Sequence, residues 1–228
     1  MTIQEESVFP SAEVRARQSR GRSNDAILNM VFKALERRQI GGGCIADVGC
    51  GRGDLYGYVC SRFDSYVGID VVRYEEFPKE ARFCALDLDT GNFPLADETI
   101  DVVAAVEVIE HLENPREFMR KLARLAKPGG WVIVTTPNQL SLLSLLTLVA
   151  KHRFQAFQDV HYPTHLTALL EIDLRRAAAQ AGLEKIDIEF SQSGRIPLTA
   201  RHYPRWLSGW FPRAFSENVM VIGQKTGN

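Results

Sequence analysis

The sequence predicts an α/β fold: a mostly parallel sheet with helices on both faces. Three observations point there. From residue 23 onward, short apolar runs alternate with stretches of helical periodicity. One run, Cys44–Val48, passes straight into a loop with Gly49, Gly51 and Gly53 at every second position. Acids stand where successive runs end, at Asp70 and Asp87. A chain of 228 residues is long enough to bury one full core.

The elements follow in order. Residues 1–22 are polar, with Arg15, Arg17, Arg20 and Arg22 spaced through them. They read as a mobile arm or a solvated helix face, or as an arm that closes over an anionic substrate. Residues 23–39 form a helix, with Ser23 or Asn24 as N-cap and Ile27, Leu28, Val31, Phe32 and Leu35 on one face. Three glycines, 41–43, end it. Cys44–Val48 is the first strand and residues 53–62 a helix. Ser65–Asp70, residues 82–86 and residues 99–106 are the next three strands; the last is nearly all apolar and therefore buried on both faces. Residues 115–126 form an amphipathic helix with Phe118, Leu122 and Leu125 inward. A turn at Lys127-Pro128-Gly129-Gly130 leads into a strand over 131–135. Residues 139–151 form a Leu-rich helix, 152–166 are irregular, and another helix starts near Thr167 and ends at Gly182. Leu183–Phe190 is a sixth strand, 191–215 a Pro- and Trp-containing loop, and 218–224 a closing strand. The domain therefore divides into an arm (1–22) and a body (23–228) carrying a lid or acceptor-binding insertion at 139–182.

Composition excludes some functions. The net charge of −1 provides no global basic field to recruit nucleic acid. Cys44, Cys50, Cys60 and Cys84 form no CxxC pair and read as reduced thiols of a cytoplasmic protein. The first ten residues carry Glu5 and Glu6 and lack the apolar segment of a signal peptide.

The glycine loop narrows the ligand. A dinucleotide fingerprint wants a third glycine at position 54, which is Asp54. No Gly-Lys-Ser/Thr phosphate loop is present. Instead Asp47, Gly49, Gly51 and Gly53 alternate, and Asp70 can accept two hydrogen bonds from a ribose diol. Together, Asp47-Val48-Gly49-Cys50-Gly51-Arg52-Gly53, Val67-Gly68-Ile69-Asp70, Asp87-Leu88, Phe93-Pro94, Asp101-Val102-Val103, Glu107-Val108-Ile109-Glu110-His111-Leu112 and Leu125-Ala126-Lys127-Pro128-Gly129-Gly130 resemble the class I S-adenosylmethionine-dependent methyltransferases. The resemblance spans residues 40–138. It implies a Rossmann-like seven-stranded sheet of order 3-2-1-4-5-7-6 with strand 7 antiparallel. It also implies S-adenosyl-L-methionine as cofactor and S-adenosyl-L-homocysteine as product. Asp47 with Gly49, Cys50, Gly51 and Gly53 would flank the methionine part, Asp70 and Val71 the ribose, Asp87 and Leu88 the adenine, and Glu107 would lie close by. A cofactor without phosphate needs no lysine in its loop, and acids suit its cationic sulfonium.

Two chemistries then remain for the acceptor. Glu107, Glu110 and His111 share a face if helical. Similar segments in ubiquinone-pathway O-methyltransferases and small-RNA 2′-O-methyltransferases hold a divalent metal together with a later His; here that would be His161 or His165, with Mg²⁺ as the ion. Without a metal, His111 or His165 is the candidate general base. Thr136-Pro137-Asn138, the Leu-rich helix, Phe154 to Phe157, His165-Leu166 and Ala181-Gly182 also resemble a bacterial subgroup associated with cell-envelope glycans and secondary metabolism. The reading is methyl transfer to oxygen of a small molecule or glycan. Alternatives are an RNA 2′-O-methyltransferase, or a non-catalytic S-adenosylmethionine-binding partner. The Leu-rich helix reads as buried or as a dimer contact, or else as an interfacial helix making peripheral contact with a membrane. Trp206, Trp210 and Phe211 could wall an acceptor pocket or pack as core.

Overall fold

The computed structural model describes residues 10–227. Seven strands form one sheet in the order β3-β2-β1-β4-β5-β7-β6. They are β1 (Cys44–Val48), β2 (Ser65–Asp70), β3 (Arg82–Ala85), β4 (Ile100–Ala105), β5 (Ala126–Pro137), β6 (Leu183–Phe190) and β7 (Asn218–Lys225). The first five strands pair in parallel, and β7 runs antiparallel to both β5 and β6. The expected order and the antiparallel seventh strand are both present.

The period-two alternation of the central strands explains why both faces are covered. Ala46, Val48, Val103, Ala105, Val132 and Val134 point to one side. There α4 (Pro115–Leu125) and α6 (Glu171–Gln180) bring Phe118, Leu122, Leu174 and Ala178. Ile45, Val102, Ala104 and Ile133 point to the other, where α2 (Asp25–Arg37) supplies Ile27, Val31 and Leu35 and the short α3 (Tyr56–Val59) supplies Val59. Each fully buried Leu, Ile or Phe contributes roughly 1.5–3 kcal/mol by leaving water. The helix starts are set locally. The Asn24 side chain accepts from Ile27 N at 3.1 Å, and the Asn114 side chain accepts from Glu117 N at 3.0 Å ahead of Pro115.

Several expectations change. The helix over 53–62 shrinks to α3, because Gly49, Gly51 and Gly53 all take positive φ and the chain stays in turns to Leu55. Lys127-Pro128-Gly129-Gly130 is not a separate turn before β5 but an outward bulge within it. Ile100 pairs with Ala126 and Val102 with Trp131, so the extra residues are looped out between. Segment 191–215 contains a helix, α7 (Arg205–Trp210). The helix expected from Thr167 begins at Glu171, and α6 packs into the sheet core rather than belonging to a lid.

The arm and the Leu-rich segment depart furthest. Residues 1–9 lie outside the described residues. From Ala12 to Ser19 the arm is a helix, α1, and it is docked rather than mobile. Arg15 is buried and pairs with Asp89 at 2.7 Å, and the Tyr74 hydroxyl donates to the Ala16 carbonyl at 2.8 Å. The expected Leu-rich helix starts later, as α5 (Leu142–Lys151), with Ser141 as N-cap. It is not a buried helix: its buried residues are Ser144 and Thr147, while Leu145, Leu146 and Val149 are exposed. No helix among the described residues is long and apolar enough to cross a membrane.

Candidate active site

The carboxyl ends of β1 to β4 open into one cavity of about 700 Å³, within the roughly 300–1,000 Å³ range of small-ligand sites. Its position follows from the topology. β1 lies between β2, from which the sheet runs on to β3, and β4, from which it runs on to β5, so the crossovers diverge above β1 and leave a crevice.

The glycine loop is one wall. Asp70, at the end of β2, holds the loop from below. Its carboxylate accepts from Gly51 N at 2.8 Å and from Val72 N at 3.1 Å, and burial raises its pKa against these bonds. Gly51 has φ +51°, and a Cβ there would lie 2.4 Å from the Gly21 carbonyl oxygen. Only glycine lets the loop press this closely on the arm, where Arg52 N donates to the same carbonyl at 3.0 Å. Gly49, Gly51, Asp70, Val71, Asp87 and Leu88 all line the cavity.

Asp47, Cys50 and Gly53 do not line it. Asp47 is buried, and Tyr66 donates its hydroxyl to Asp47 Oδ2. Burial raises the Asp47 carboxyl to about 7. Cys50 is a buried, inert thiol, pushed well up by burial. Gly53 packs its backbone on Pro78, where a Cβ would come within 2.5 Å. These three residues brace the loop from behind.

The opposite wall comes from the end of β4 and a single 3₁₀ turn, Ile109–His111. Glu107 sits at φ +56°, a conformation that costs a non-glycine residue about 1–3 kcal/mol and clusters at functional sites. Its carboxylate accepts from Thr135 Oγ1 at 2.9 Å and Asn218 Nδ2 at 2.8 Å, so β5 and β7 fix it. Burial and the neighbouring Glu110 raise its pKa well above the ordinary range.

Glu110, His111 and His165 form a cluster whose donor atoms lie within 4.8 Å of one another. Glu110 is fully buried. Thr136 Oγ1 donates to its Oε2 at 3.1 Å, Oε1 has no hydrogen-bond partner, and burial raises its pKa to about 8. His111 Nδ1 lies 2.7 Å from the Thr164 carbonyl, and His165 Nδ1 lies 2.7 Å from the Ala156 carbonyl. A carbonyl only accepts, so each Nδ1 carries the proton and each Nε2 presents a lone pair. Burial lowers both imidazoles, His165 to about 4, which keeps them neutral near pH 7. Their rings meet edge to face with centroids 4.8 Å apart, and His161 stacks on His165 at 5.4 Å. Glu107, expected as a fourth ligand, stands outside the cluster because Thr135 and Asn218 occupy its carboxylate oxygens.

Tyr74 and Asp89 also line the cavity and escaped the sequence reading, while Arg15, named there among the arginines of the arm, and Leu112, the end of the Glu107–Leu112 segment, line it as well. Asp89 accepts from Glu113 N at 3.0 Å besides its pair with Arg15, joining the arm to the start of α4. Its place one step past Asp87-Leu88 was the available signal. Trp206, Trp210 and Phe211 line no part of this cavity and are exposed.

Comparison with known proteins agrees with this geometry. A family model described as a methyltransferase domain matches residues 17–188. A probable S-adenosylmethionine-dependent methyltransferase of Mycolicibacterium smegmatis is 30% identical over 182 residues, 76% of this chain and 65% of that protein. A ubiquinone biosynthesis O-methyltransferase of Hydrogenovibrio crunogenus is 30% identical over 184 residues, 75% of this chain and 71% of its own. The chain thus spans slightly under two thirds of the first relative's length. Among solved structures, a SAM-dependent methyltransferase from Archaeoglobus fulgidus shares the fold with a TM-score of 0.61 at 19% identity, over 87% of this chain and 94% of that one. A family match over most of the chain decides the assignment: the chain belongs to the class I S-adenosylmethionine-dependent methyltransferases.

Proposed function

We propose that the chain methylates a hydroxyl oxygen of a small molecule or glycan, and that Glu110, His111 and His165 would hold a divalent cation, which would lower the pKa of that hydroxyl so that its proton could pass to solvent. In this reading Asp70 takes the ribose hydroxyls of the cofactor, and Asp87 with Leu88 frames its adenine. The glycine loop meets the methionine part. The observation that carries the acceptor chemistry is the convergence of two Nε2 lone pairs on the unpartnered Glu110 Oε1 in the wall of the cofactor cavity. A buried carboxylate oxygen left without a partner costs about 1–3 kcal/mol, and a cation offsets that cost. The Nδ1–carbonyl bonds are the outer contacts that orient metal-binding imidazoles.

Two imidazoles and one carboxylate suit a first-row ion such as Mn²⁺ or Zn²⁺ better than the oxygen-seeking Mg²⁺. Such an ion, when bound, lowers the pKa of a coordinated hydroxyl. The residues themselves position the reactants. Asp70 fixes the ribose, and Glu107 is locked by Thr135 and Asn218 between cofactor and cluster. Arg15, Ala16 and Ser19 of the docked arm form part of the cavity wall. Methyl transfer is an in-line displacement on an activated carbon, so such positioning can supply on the order of 7–11 kcal/mol. The hydroxyl acceptor is supported by the relatives named as ubiquinone biosynthesis O-methyltransferases.

Chelation tests the cation directly. EDTA should reduce turnover to a small residual, and Mn²⁺ should restore it more fully than Mg²⁺. S-adenosylmethionine affinity, measured in parallel by calorimetry, should not change. Full turnover in EDTA would remove the cation from the mechanism and leave His111 as a simple base.

A further inference from the structure

A second cavity, of about 180 Å³, lies at the carboxyl end of β5 beside the cofactor cavity. The two cavities share Asn24 and His161 in their walls. A hydrogen bond also links them. Asn218, in the wall of the smaller one, donates Nδ2 to Oε2 of Glu107, in the wall of the larger, at 2.8 Å.

The inward, polar side of α5 builds one wall. Ser144 is 2% exposed, and its Oγ accepts from Gln155 N at 3.2 Å, which draws the segment after α5 against the helix. Both residues line the cavity. Asn138 fixes the chain at the end of β5. Its Nδ2 donates to the carbonyls of Arg213 and Ser216, both at 2.8 Å, and its Oδ1 accepts from Leu140 N at 3.0 Å. Gln139 is thereby held in the wall, only 1% exposed. Its Nε2 donates to the Pro137 carbonyl at 2.9 Å, while its Oε1 is buried with no hydrogen-bond partner. A buried amide oxygen without a donor costs free energy that a ligand hydroxyl recovers.

The remaining wall complements this acceptor. His161 Nδ1 accepts from Gln158 N at 3.3 Å, so the ring proton sits on Nε2, a donor. On the outer side Arg195 Nε donates to Glu217 Oε1 at 2.8 Å, and Glu217 Oε2 makes no hydrogen bond among the described residues. Leu143 and Pro137 add apolar area.

We infer that this second cavity seats the methyl acceptor as a single saturated sugar ring, with one ring hydroxyl donating to Gln139 Oε1. The inference rests on the functional reading above, in which the methyl donor fills the larger cavity. Size sets the first limit. A cavity of roughly 150 Å³ takes one benzene ring, so 180 Å³ admits one six-membered ring. Polarity then selects the ring. A flat aromatic ring would leave Gln139 Oε1 unpaired. A sugar carries hydroxyls around its edge, each both donor and acceptor, to meet the amide oxygen, the imidazole N–H and the carboxylate. Its C–H face lies against Leu143 and Pro137. The terminal torsion of a glutamine is broad, so turning Oε1 to the hydroxyl costs little. A ring seated beside His161 presents a second hydroxyl toward the Glu110, His111 and His165 cluster, since the His161 ring stacks on that of His165. There the oxygen–methyl bond forms as the sulfur–methyl bond breaks. The bonding pair stays on sulfur and the hydroxyl proton passes to solvent.

The test is saturation-transfer NMR on the full chain, with and without S-adenosylhomocysteine. The probes are the methyl glycosides of glucose, galactose, mannose and rhamnose, set against catechol and protocatechuate. At least one glycoside should receive saturation on its ring protons, and the two phenols much less. Gln139→Met, which keeps length and removes the acceptor, should weaken that glycoside roughly tenfold. Leu143→Trp, which fills the cavity, should abolish its signal. Both variants should bind S-adenosylhomocysteine as the parent does. With labelled S-adenosylmethionine, Gln139→Met should lower kcat/KM for the glycoside and leave any turnover of catechol unchanged, whereas a merely structural lesion would lower both. Absence of a signal from every glycoside, preference for a phenol, or a glycoside signal that neither variant changes would overturn the inference. Failure of the parent to bind S-adenosylhomocysteine would strike the functional reading instead, and the glycoside signal without it would still judge the cavity.

Discussion

An Asp70→Asn variant is expected to bind S-adenosylmethionine on the order of 100-fold more weakly, about 3 kcal/mol, by calorimetry. Two effects add. The asparagine has lost the charge and one acceptor, so the ribose hydroxyls no longer meet a carboxylate; hydrogen bonds to a charged acceptor contribute about 1.5–3 kcal/mol each. The carboxylate also anchors Gly51 N and Val72 N, so the loop loses part of its support in the same substitution. Asparagine keeps one oxygen for the backbone, and the thermal unfolding midpoint should move little by comparison. A variant that binds the cofactor as tightly as the parent would remove Asp70 from the cofactor site.

A His111→Ala variant is expected to lose about 10²–10⁴-fold in kcat with S-adenosylmethionine affinity unchanged. The imidazole lines the cavity but belongs to the cluster with Glu110 and His165, not to the glycine loop. His165→Ala should fall in the same range. The double variant should be little worse than either single one, because donors that act as a unit are lost as a unit. The two histidines are held differently: His111 bonds the carbonyl of Thr164, whereas His165 bonds that of Ala156. A Glu110→Gln variant should resemble them in kcat, since it removes the carboxylate oxygen that has no partner of its own. Unchanged kcat in all three variants would place proton removal elsewhere.

The parts legible in the sequence are those determined by local pattern or by strict periodicity. β1, β2 and the start of β7 fall where the apolar runs place them, because a strand covered on both faces must be apolar at nearly every position, whereas β6, at the edge of the sheet, is legible from the alternation of apolar and charged residues over 186–190. Gly49 and Gly51 are legible because a backbone at positive φ beside another chain segment excludes a side chain. The contacts that escaped are those made across long separations. Arg15 is one of four spaced arginines and nothing local distinguishes it; its ion pair is with Asp89, 74 residues away, and its Nη1 also donates to the Pro10 carbonyl. Asp47 looks like a cofactor residue from its place in the motif, yet Tyr66 of the neighbouring strand turns it away from the cavity. The direction of α5 escaped for a related reason. Its leucines cover more than one face, so periodicity cannot say which face is inward, and the choice is made by Gln155 capturing Ser144. His111 and His165 are legible as histidines, but their convergence depends on the carbonyls of Thr164 and Ala156 in a segment without regular structure.

The most direct test of the central claim follows the methyl group itself. The protein is incubated with S-adenosylmethionine labelled in the methyl carbon and a metabolite and glycan extract of the cell, and the labelled product is isolated. The account predicts label in an alkali-stable methyl ether of a hydroxyl-bearing small molecule or glycan, formed with one S-adenosylhomocysteine per methyl and absent with Asp70→Asn or His111→Ala. Cofactor bound but no label in any fraction, or label recovered only on nitrogen or in precipitated RNA, would contradict it.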